Sequence, residues 1–150
     1  MTTTRSKRLS KVEKMRLIRH AAYRCFVESG YHATTVDRIC EAAAISKGSF
    51  YWYFNSKQSI FLDILNNWAD EVASELSEQF EPAINDEDRF AAFSVTLERE
   101  ARRVRAIMPV WLDFLAQMGR DAEVRDGLAR FHRRIRSIIT ELFRSMIPGL

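Results

Sequence analysis

Residues 34–57 read TTVDRICEAAAISKGSFYWYFNSK, and this stretch decides the fold. Val36, Ile39 and Ala43 recur at helical spacing, and a short break follows at residues 44–45. Ser46 can cap a second helix, which is polar and basic at its start and rich in aromatic residues. Two short helices joined by a tight turn are the layout of a helix-turn-helix. The sequence therefore predicts a DNA-binding unit over residues 35–54.

The end of this stretch predicts how the second helix is held. Phe50 and Phe54 are four residues apart, so we expect them to anchor this short helix to the helices beneath it. Ser56 can cap a further helix, and Lys57 places a cation in its first turn. A cation there can reach a phosphate but not a base, which predicts a phosphate clamp.

The same stretch resembles the signature of the tetracycline-repressor (TetR) family of one-component regulators. The resemblance extends over roughly residues 11–72. It is carried by Thr34-Thr35-Val36, Ile39, Ala42-Ala43, Ile45-Ser46-Lys47-Gly48-Ser49-Phe50-Tyr51, Tyr53-Phe54 and Lys57. The family usually has Gly where this chain has Ala44, and Ala costs about 1 kcal/mol more than Gly in a left-handed conformation.

The resemblance implies two sets of DNA-binding residues. Those matching base-facing or groove-approaching positions are Lys47, Gly48, Ser49 and Trp52. Those matching phosphate-contacting positions are Thr35, Ser46, Tyr51, Tyr53 and Lys57. The alternative for the three consecutive aromatic residues is a core cluster, but three in a row on a helix cannot all face inward.

Charge is distributed unevenly along the chain. Residues 1–60 hold 11 Lys+Arg against 4 Asp+Glu, and residues 61–150 hold 12 against 16, which gives +7 and −4. A positive head on a negative body favours a polyanionic partner such as DNA over an ordinary solvated basic face. No run approaches the roughly 18 apolar residues that span a bilayer, and Cys25 and Cys40 fit buried thiols. We expect a cytoplasmic protein that does not contact membranes.

Helical periodicity runs through the whole chain and predicts an all-α fold. A capping box at Ser10 and Glu13 begins the first helix, and Gly30 ends it in a left-handed conformation. A long helix follows Ser56 and ends at Pro82. Further helices are predicted after Asn85 and Asp88, after a break at Pro109 until Gly119, and from Asp121 onward. The predicted organisation is a disordered basic arm (1–10), a three-helix DNA-binding head (11–72) and a helical effector-binding and regulatory body (73–150).

The resemblance implies a small-molecule effector bound between helices of the body. The candidate lining residues are Trp68, Phe93, Met108, Trp111, Phe114 and Met118, each of which is also compatible with ordinary core packing. Asp113 lies on an otherwise apolar helix, where it could face a cationic ligand or, as we expect, pair with one of the arginines of the body.

The favoured function is a transcriptional regulator, a repressor released from a palindromic operator by its effector and acting as a homodimer. The alternative is a helical small-molecule-binding or interaction protein whose head no longer binds DNA. The sequence has no catalytic constellation, metal-ligand spacing or cofactor motif, so we do not expect an enzyme.

Family members usually continue past residue 150 with two helices that form the dimer interface. We therefore expect a truncated chain and an incomplete body; the alternative is a dimer that forms differently. In such a chain, the stripe of Leu128, Phe131, Ile135, Ile138 and Leu142 should be partly bare and should drive self-association.

Overall fold

A computed structural model of the chain describes residues 10–79, 86–118 and 122–146. These residues form helices only, which confirms the all-α prediction. The helices are α1 (Lys11–Ala33), α2 (Val36–Ala42), α3 (Lys47–Tyr53), α4 (Lys57–Gln79), α5 (Asp86–Met118) and α6 (Ala122–Met146). The predicted arm up to residue 9 and the predicted boundary residues Pro82, Asn85, Gly119 and Asp121 lie outside the described residues.

The two ends of α1 follow local sequence signals. The Ser10 hydroxyl accepts a hydrogen bond from the backbone N–H of Glu13, and the Glu13 carboxylate accepts one from the backbone N–H of Ser10. The predicted capping box is therefore confirmed. Gly30 interrupts the helix with φ +78° and ψ 166°. The predicted positive φ is present, but this ψ is extended rather than left-handed helical, and a short helical segment continues to Ala33. The buried Thr34 hydroxyl lies 2.8 Å from the Gly30 carbonyl and holds this kink.

The predicted helix break at Pro109 is wrong, because Pro109 lies inside the continuous helix α5. A proline in a helix interior removes a hydrogen bond and costs about 3 kcal/mol. Ile107, Val110 and Phe114 are buried on both sides of it. Burial of each such side chain contributes about 1.5–3 kcal/mol, so packing outweighs the local cost.

One core runs from the head into the body. Phe26, Tyr31 and Phe61 of the head form an aromatic cluster with Phe114 of α5, with ring centroids 4.6–5.5 Å apart. The main helix contacts are α1 against α5 and α4 against α6. Helix α4 crosses residues 72–73 without interruption, so the predicted head and body share a helix as well as a core.

The apolar stripe of α6 is buried at two of its described residues and half-buried at two others. Phe131 and Ile138 are only 8% and 6% exposed, since α6 packs along α4. Gly127 allows this close approach, because a Cβ there would lie 2.5 Å from a Leu62 methyl group. The side chain of Leu142 is outside the described residues. Leu128 and Ile135 are half-buried, so α4 covers the stripe only in part. Self-association through the stripe stays a prediction.

Candidate nucleic-acid interface

The turn between α2 and α3 is closed by backbone hydrogen bonds. Thr35 caps α2 by accepting the amide of Arg38 at 3.2 Å. At the other end, Ala44 donates to the Glu41 carbonyl at 3.1 Å and Ile45 donates to the Cys40 carbonyl at 3.0 Å. This pair of bonds is a Schellman motif, which requires a left-handed residue after the helix. Ala44 takes that place with φ +51°, so the strain expected from the sequence is present.

Helix α3 is anchored on one face and open on the other. Phe50 and Phe54 are buried, which confirms them as anchors, and Ser46 caps the helix by accepting the amide of Ser49 at 3.1 Å. Tyr51 is 52% exposed and Trp52 is 78% exposed. An indole left in water without a partner loses the burial that normally stabilises it, so this face is suited to contact another molecule.

Tyr53 differs from its two aromatic neighbours. Its side chain is half-buried and packs against the core of the head. The prediction that the three aromatic residues cannot all face inward is confirmed. Tyr53 is the one of the three that points partly toward the core. A phosphate contact by its hydroxyl stays a prediction.

Lys47 and Gly48 lie in the first turn of α3. The Lys47 ammonium is 2.7 Å from Asp37 of α2, and this hydrogen bond and charge raise the pKa of Lys47. Both side chains are well exposed, so the pair is weak and a guanine or phosphate could displace the carboxylate. A Cβ at Gly48 would meet only the Ser46 hydroxyl at 3.9 Å, so nothing described within the chain requires glycine there.

Thr35 and Ser46 each use their hydroxyl oxygen as a backbone cap. A hydroxyl that accepts one hydrogen bond still has its own O–H to donate. Thr35 stands at the start of α2 and Ser46 at the start of α3, where both are able to donate to phosphate oxygens. The cap predicted from the sequence at Ser46 is confirmed, and the DNA contacts of Thr35 and Ser46 stay predictions.

Lys57 has partners that the sequence did not predict. Its ammonium donates to the carbonyls of Tyr31 and Thr34 at 2.8 Å each and lies 3.4 Å from that of His32. It also lies 4.4 Å from the centroid of the Tyr31 ring. Burial lowers the pKa of Lys57, and the nearby Asp113 opposes that shift. The cation thus ties the start of α4 to the end of α1. Its contact with a DNA phosphate stays a prediction.

Asp113 connects the body to the same place. Its carboxylate accepts the backbone amide of His32 at 2.9 Å, across 81 residues of sequence. Burial and this carboxylate together raise the pKa of the Tyr31 hydroxyl far above its ordinary range. The sequence did not predict this contact with a backbone amide of the head, and an arginine partner for Asp113 stays a prediction. Residues 31–34, Lys57 and Asp113 form what we call the junction.

An apolar cavity of about 250 Å³ lies between α4, α5 and α6. Of the candidate effector residues, Trp68, Met108 and Trp111 line it. Phe114 is fully buried behind Trp111, Phe93 lies elsewhere on α5, and the side chain of Met118 is outside the described residues. The lining residues that the sequence did not single out as a pocket are Leu65, Val104, Ile107, Phe131, His132 and Ile135. Their spacing of three and four along α5 and α6 was the available signal, but it is the same for any core face.

Cys25 and Cys40 are buried free thiols, as the sequence predicted. Among residues 10–79, 86–118 and 122–146, no group of three or more His, Cys, Asp or Glu side chains could hold a metal ion. None of the helices in those ranges combines the length and the apolar character that crossing a membrane requires.

Two family profiles match the chain. "Bacterial regulatory proteins, tetR family" matches residues 18–64, which contain α2 and α3. "BetI-type transcriptional repressor, C-terminal" matches residues 87–150, which contain most of α5 and all of α6. The two profiles thus divide the chain into a head and a body that meet within or after α4.

Curated relatives match the same regions. The HTH-type transcriptional repressor AcnR of Corynebacterium glutamicum is 31% identical over 120 residues, covering 75% of this chain and 63% of the relative. The HTH-type transcriptional regulator UidR of Escherichia coli is 28% identical over 127 residues, covering 85% and 63%. YuxN of Bacillus subtilis, an uncharacterized HTH-type transcriptional regulator, is 42% identical over 60 residues, covering 40% and 21%. The chain spans less than two thirds of each relative.

Solved structures share the fold. GusR of Salmonella enterica superposes with a TM-score of 0.65 at 23% identity, covering 93% of this chain and 70% of that one. A regulatory protein TetR from Rhodobacter sphaeroides gives a TM-score of 0.61 at 25% identity, covering 87% and 70%.

Proposed function

We propose that this chain, which belongs to the TetR family of bacterial regulatory proteins, binds a duplex operator through α3 and regulates transcription as a homodimer. The observation that carries the proposal is the open face of α3. Trp52 and Tyr51 are exposed there on a helix whose opposite face is fixed by Phe50 and Phe54. A rigid helix with an exposed, unpartnered face is what insertion into the major groove requires.

Each exposed group on this face has a role that its chemistry supports. Lys47 can donate to the O6 and N7 atoms of guanine, and Trp52 can make apolar contact with a thymine methyl group. Ser49, Tyr51 and Tyr53 offer hydroxyl groups to bases or phosphates. The charge of +7 over residues 1–60 supplies attraction that does not depend on sequence. A two-fold dimer would place two such helices on successive turns of a palindrome.

The apolar cavity is the proposed effector site. Trp68, Trp111 and Phe131 contribute aromatic surface, and the space of about 250 Å³ suits a small apolar or aromatic molecule. Trp111 lies two residues before Asp113 in α5, and Phe114 packs on Tyr31 with ring centroids 5.0 Å apart. A ligand that displaces Trp111 would therefore move the same turn of α5 that holds the junction, and this would change the position of the head on the body.

A second candidate is a ligand-binding protein whose head does not bind DNA. One observation favours it: the cations Lys47 and Lys57 are both engaged within the chain, by Asp37 and by backbone carbonyls. Against it, the Lys47 pair is exposed and readily exchanged, and the aromatic face of α3 has no other use in the described structure.

Fluorescence anisotropy with labelled duplexes tests the proposal. We expect the chain to bind DNA from the neighbourhood of its own gene more tightly than random duplex of equal length. Trp52→Ala should lower the ratio of specific to random affinity at least about tenfold, which corresponds to about 1.4 kcal/mol. Val95→Ala, which alters a similarly exposed apolar residue of α5, is the matched control and should change nothing. Equal weak binding to both duplexes, or equal effects of both variants, would favour the second candidate.

Effector binding has its own readout. Ligands that enter the apolar cavity should change the fluorescence of Trp68 and Trp111, and should release the specific duplex but not alter non-specific binding. Met108→Trp, which fills the cavity from α5, should prevent both effects while leaving DNA binding in place. Release that persists in this variant would place the effector elsewhere.

A further inference from the structure

A second cleft, separate from the apolar cavity, lies between α1, α4 and α5. Its volume is about 510 Å³, and none of its lining residues lines the apolar cavity. The lining residues are Arg16, Arg19, His20, Tyr23 and Arg24 from α1; Ile64, Asn67 and Glu71 from α4; and Arg102, Arg103 and Ala106 from α5. Five of these eleven residues are arginines, so the cleft has the composition of an anion-binding site.

The arginines converge because of helical spacing. Residues 16, 19, 20, 23 and 24 of α1 are separated by three, four, seven and eight positions, which places them on one face. Residues 102, 103 and 106 form the facing part of α5. Guanidinium groups therefore line the cleft from two helices, one in the head and one in the body. A planar guanidinium can bind carboxylate or phosphate oxygens in pairs, and two opposed walls of them can hold an anion from both sides.

The ion pairs that the cleft arginines already form leave several of them able to bind an anion. Arg19, Arg24, Arg102 and Arg103 face the carboxylates of Asp63, Glu28, Glu98 and Glu71, respectively. The Arg24 and Arg102 pairs are more than half exposed, and exposed pairs contribute only about 0–1 kcal/mol. Arg16 has no carboxylate within 4.0 Å among the described residues. An anion could thus recruit Arg16, Arg24 and Arg102 without breaking a buried contact.

We propose that this cleft binds a small organic polyanion, a molecule with two or more carboxylate or phosphate groups. The lining holds five arginines against one carboxylate, Glu71, so two or more anionic groups of one ligand can each face a guanidinium. Asn67 donates to Glu71 at 2.6 Å and holds it at the α4 side, which leaves the α1 and α5 walls cationic. The aromatic ring of Tyr23 and the side chain of Ile64 offer apolar contact to the carbon part of such a ligand.

The cleft adjoins the apolar cavity through Arg103. Its guanidinium lies 6.0 Å from the Tyr23 ring centroid and 5.9 Å from that of Trp68, and a small void between the two sites is lined by all three. Trp68 also lines the apolar cavity. An anion that draws Arg103 toward the cleft would take the cation away from Trp68, so occupancy of the cleft should be visible in tryptophan fluorescence. The site does not rest on the proposed function, because it uses neither α3 nor the apolar cavity.

Isothermal titration of the full 150-residue chain, at constant ionic strength set with chloride, tests the proposal. The probes are pyrophosphate for phosphate groups and succinate for carboxylates. We expect at least one of them to bind with a dissociation constant of about 1 mM or tighter, and to change tryptophan fluorescence over the same concentration range. The difference between the probes identifies which of the two anion chemistries the cleft prefers.

The decisive variant is Arg16→Gln with Arg102→Gln, since both side chains are exposed and line the cleft from opposite walls. We expect its affinity for the better probe to fall about tenfold or more. The matched control is Lys11→Gln with Arg105→Gln, which removes the same charge from the same two helices at exposed positions outside the cleft. The control should stay within about twofold of wild type, and circular dichroism should show both double variants folded.

Three results would overturn the proposal. The first is no binding of either probe by the wild-type chain at about 10 mM. The second is an equal loss in the cleft variant and its control, which would mean general charge attraction. The third is a cleft variant that loses affinity and salt dependence for duplex DNA while neither probe binds, which would make the cleft a contact for DNA phosphates.

Discussion

Alanine at the two described helical glycines, Gly48 and Gly127, should have opposite effects on stability. At Gly48, an added Cβ meets only the Ser46 hydroxyl at 3.9 Å, an ordinary contact distance. Replacing a helical glycine by alanine in open space stabilises a helix by roughly 0.5–1 kcal/mol. Gly48→Ala should therefore raise the free energy of unfolding by about that amount, or the melting temperature by about 1–4 °C.

Gly127 is the internal comparison. A Cβ there would lie 2.5 Å from one Leu62 methyl carbon, 3.2 Å from the other and 3.3 Å from the Leu62 Cγ. No single rotation of one methyl group relieves all three contacts, and overpacking of a core costs about 1–3 kcal/mol. The gain in helix propensity offsets up to about 1 kcal/mol of that cost. Gly127→Ala should consequently leave stability unchanged at best, and lower it by up to about 2 kcal/mol.

The DNA readout separates folding from function at Gly48. If α3 enters the major groove with its first turn against the duplex, the added methyl group of Gly48→Ala holds the helix away. We expect a loss of specific affinity of about tenfold or more, that is about 1.4 kcal/mol, in a protein that is more stable than wild type. Urea unfolding followed by circular dichroism gives the first quantity, and anisotropy of a labelled operator gives the second.

Two outcomes would refute the reasoning. A destabilised Gly48→Ala would show that the space at the start of α3 is not open. A stabilised variant that keeps full affinity for the operator would show that the duplex does not approach this residue. Gly127→Ala should bind DNA as wild type does at temperatures where it is folded, so a selective loss there would reveal an effect of body packing on the head.

Three further predictions address the turn, the junction and the contact between α4 and α5. Ala44→Gly should stabilise the chain by about 0.5 kcal/mol, because relief of the positive φ exceeds the added chain entropy, and a lower denaturation midpoint would contradict this. Asp113→Ala should lose a charge-assisted bond of about 1.5–3 kcal/mol and speed hydrogen exchange of the His32 amide, whereas Asp113→Asn, which still offers an acceptor oxygen, should do so less. The hydrogen bond to Arg99 lowers the pKa of Glu75 from 4.5 in the folded chain, so the unfolded chain binds more protons. The stability that this contact contributes is therefore fully present above pH 4.5 and is lost as the pH falls through the lowered pKa. Glu75→Gln should lack that pH dependence, and parallel stability curves for the two proteins below pH 4.5 would show that the contact does not contribute.

The sequence by itself determined the local features of the head. The caps at Ser10 and Ser46, the positive φ at Ala44 and the inward direction of Phe50 all follow from it. Each depends on backbone groups or helical neighbours within about five residues, and such short-range interactions are encoded in short runs of sequence. The residues that the TetR resemblance implies for DNA binding lie on or beside these same local elements, and their contacts with DNA stay predictions.

The tertiary structure alone decided what depends on distant residues. Pro109 stays within a helix because core packing on both sides outweighs its local cost. Lys57 donates hydrogen bonds to carbonyls more than twenty residues away, and Asp113 accepts one from an amide 81 residues away. The two cavities likewise exist only where three helices meet. Helical periodicity shows which face of each helix is apolar or charged, but it does not show which faces pack against one another. The packing depends on residues of both helices in each contact, and these residues are far apart in the sequence.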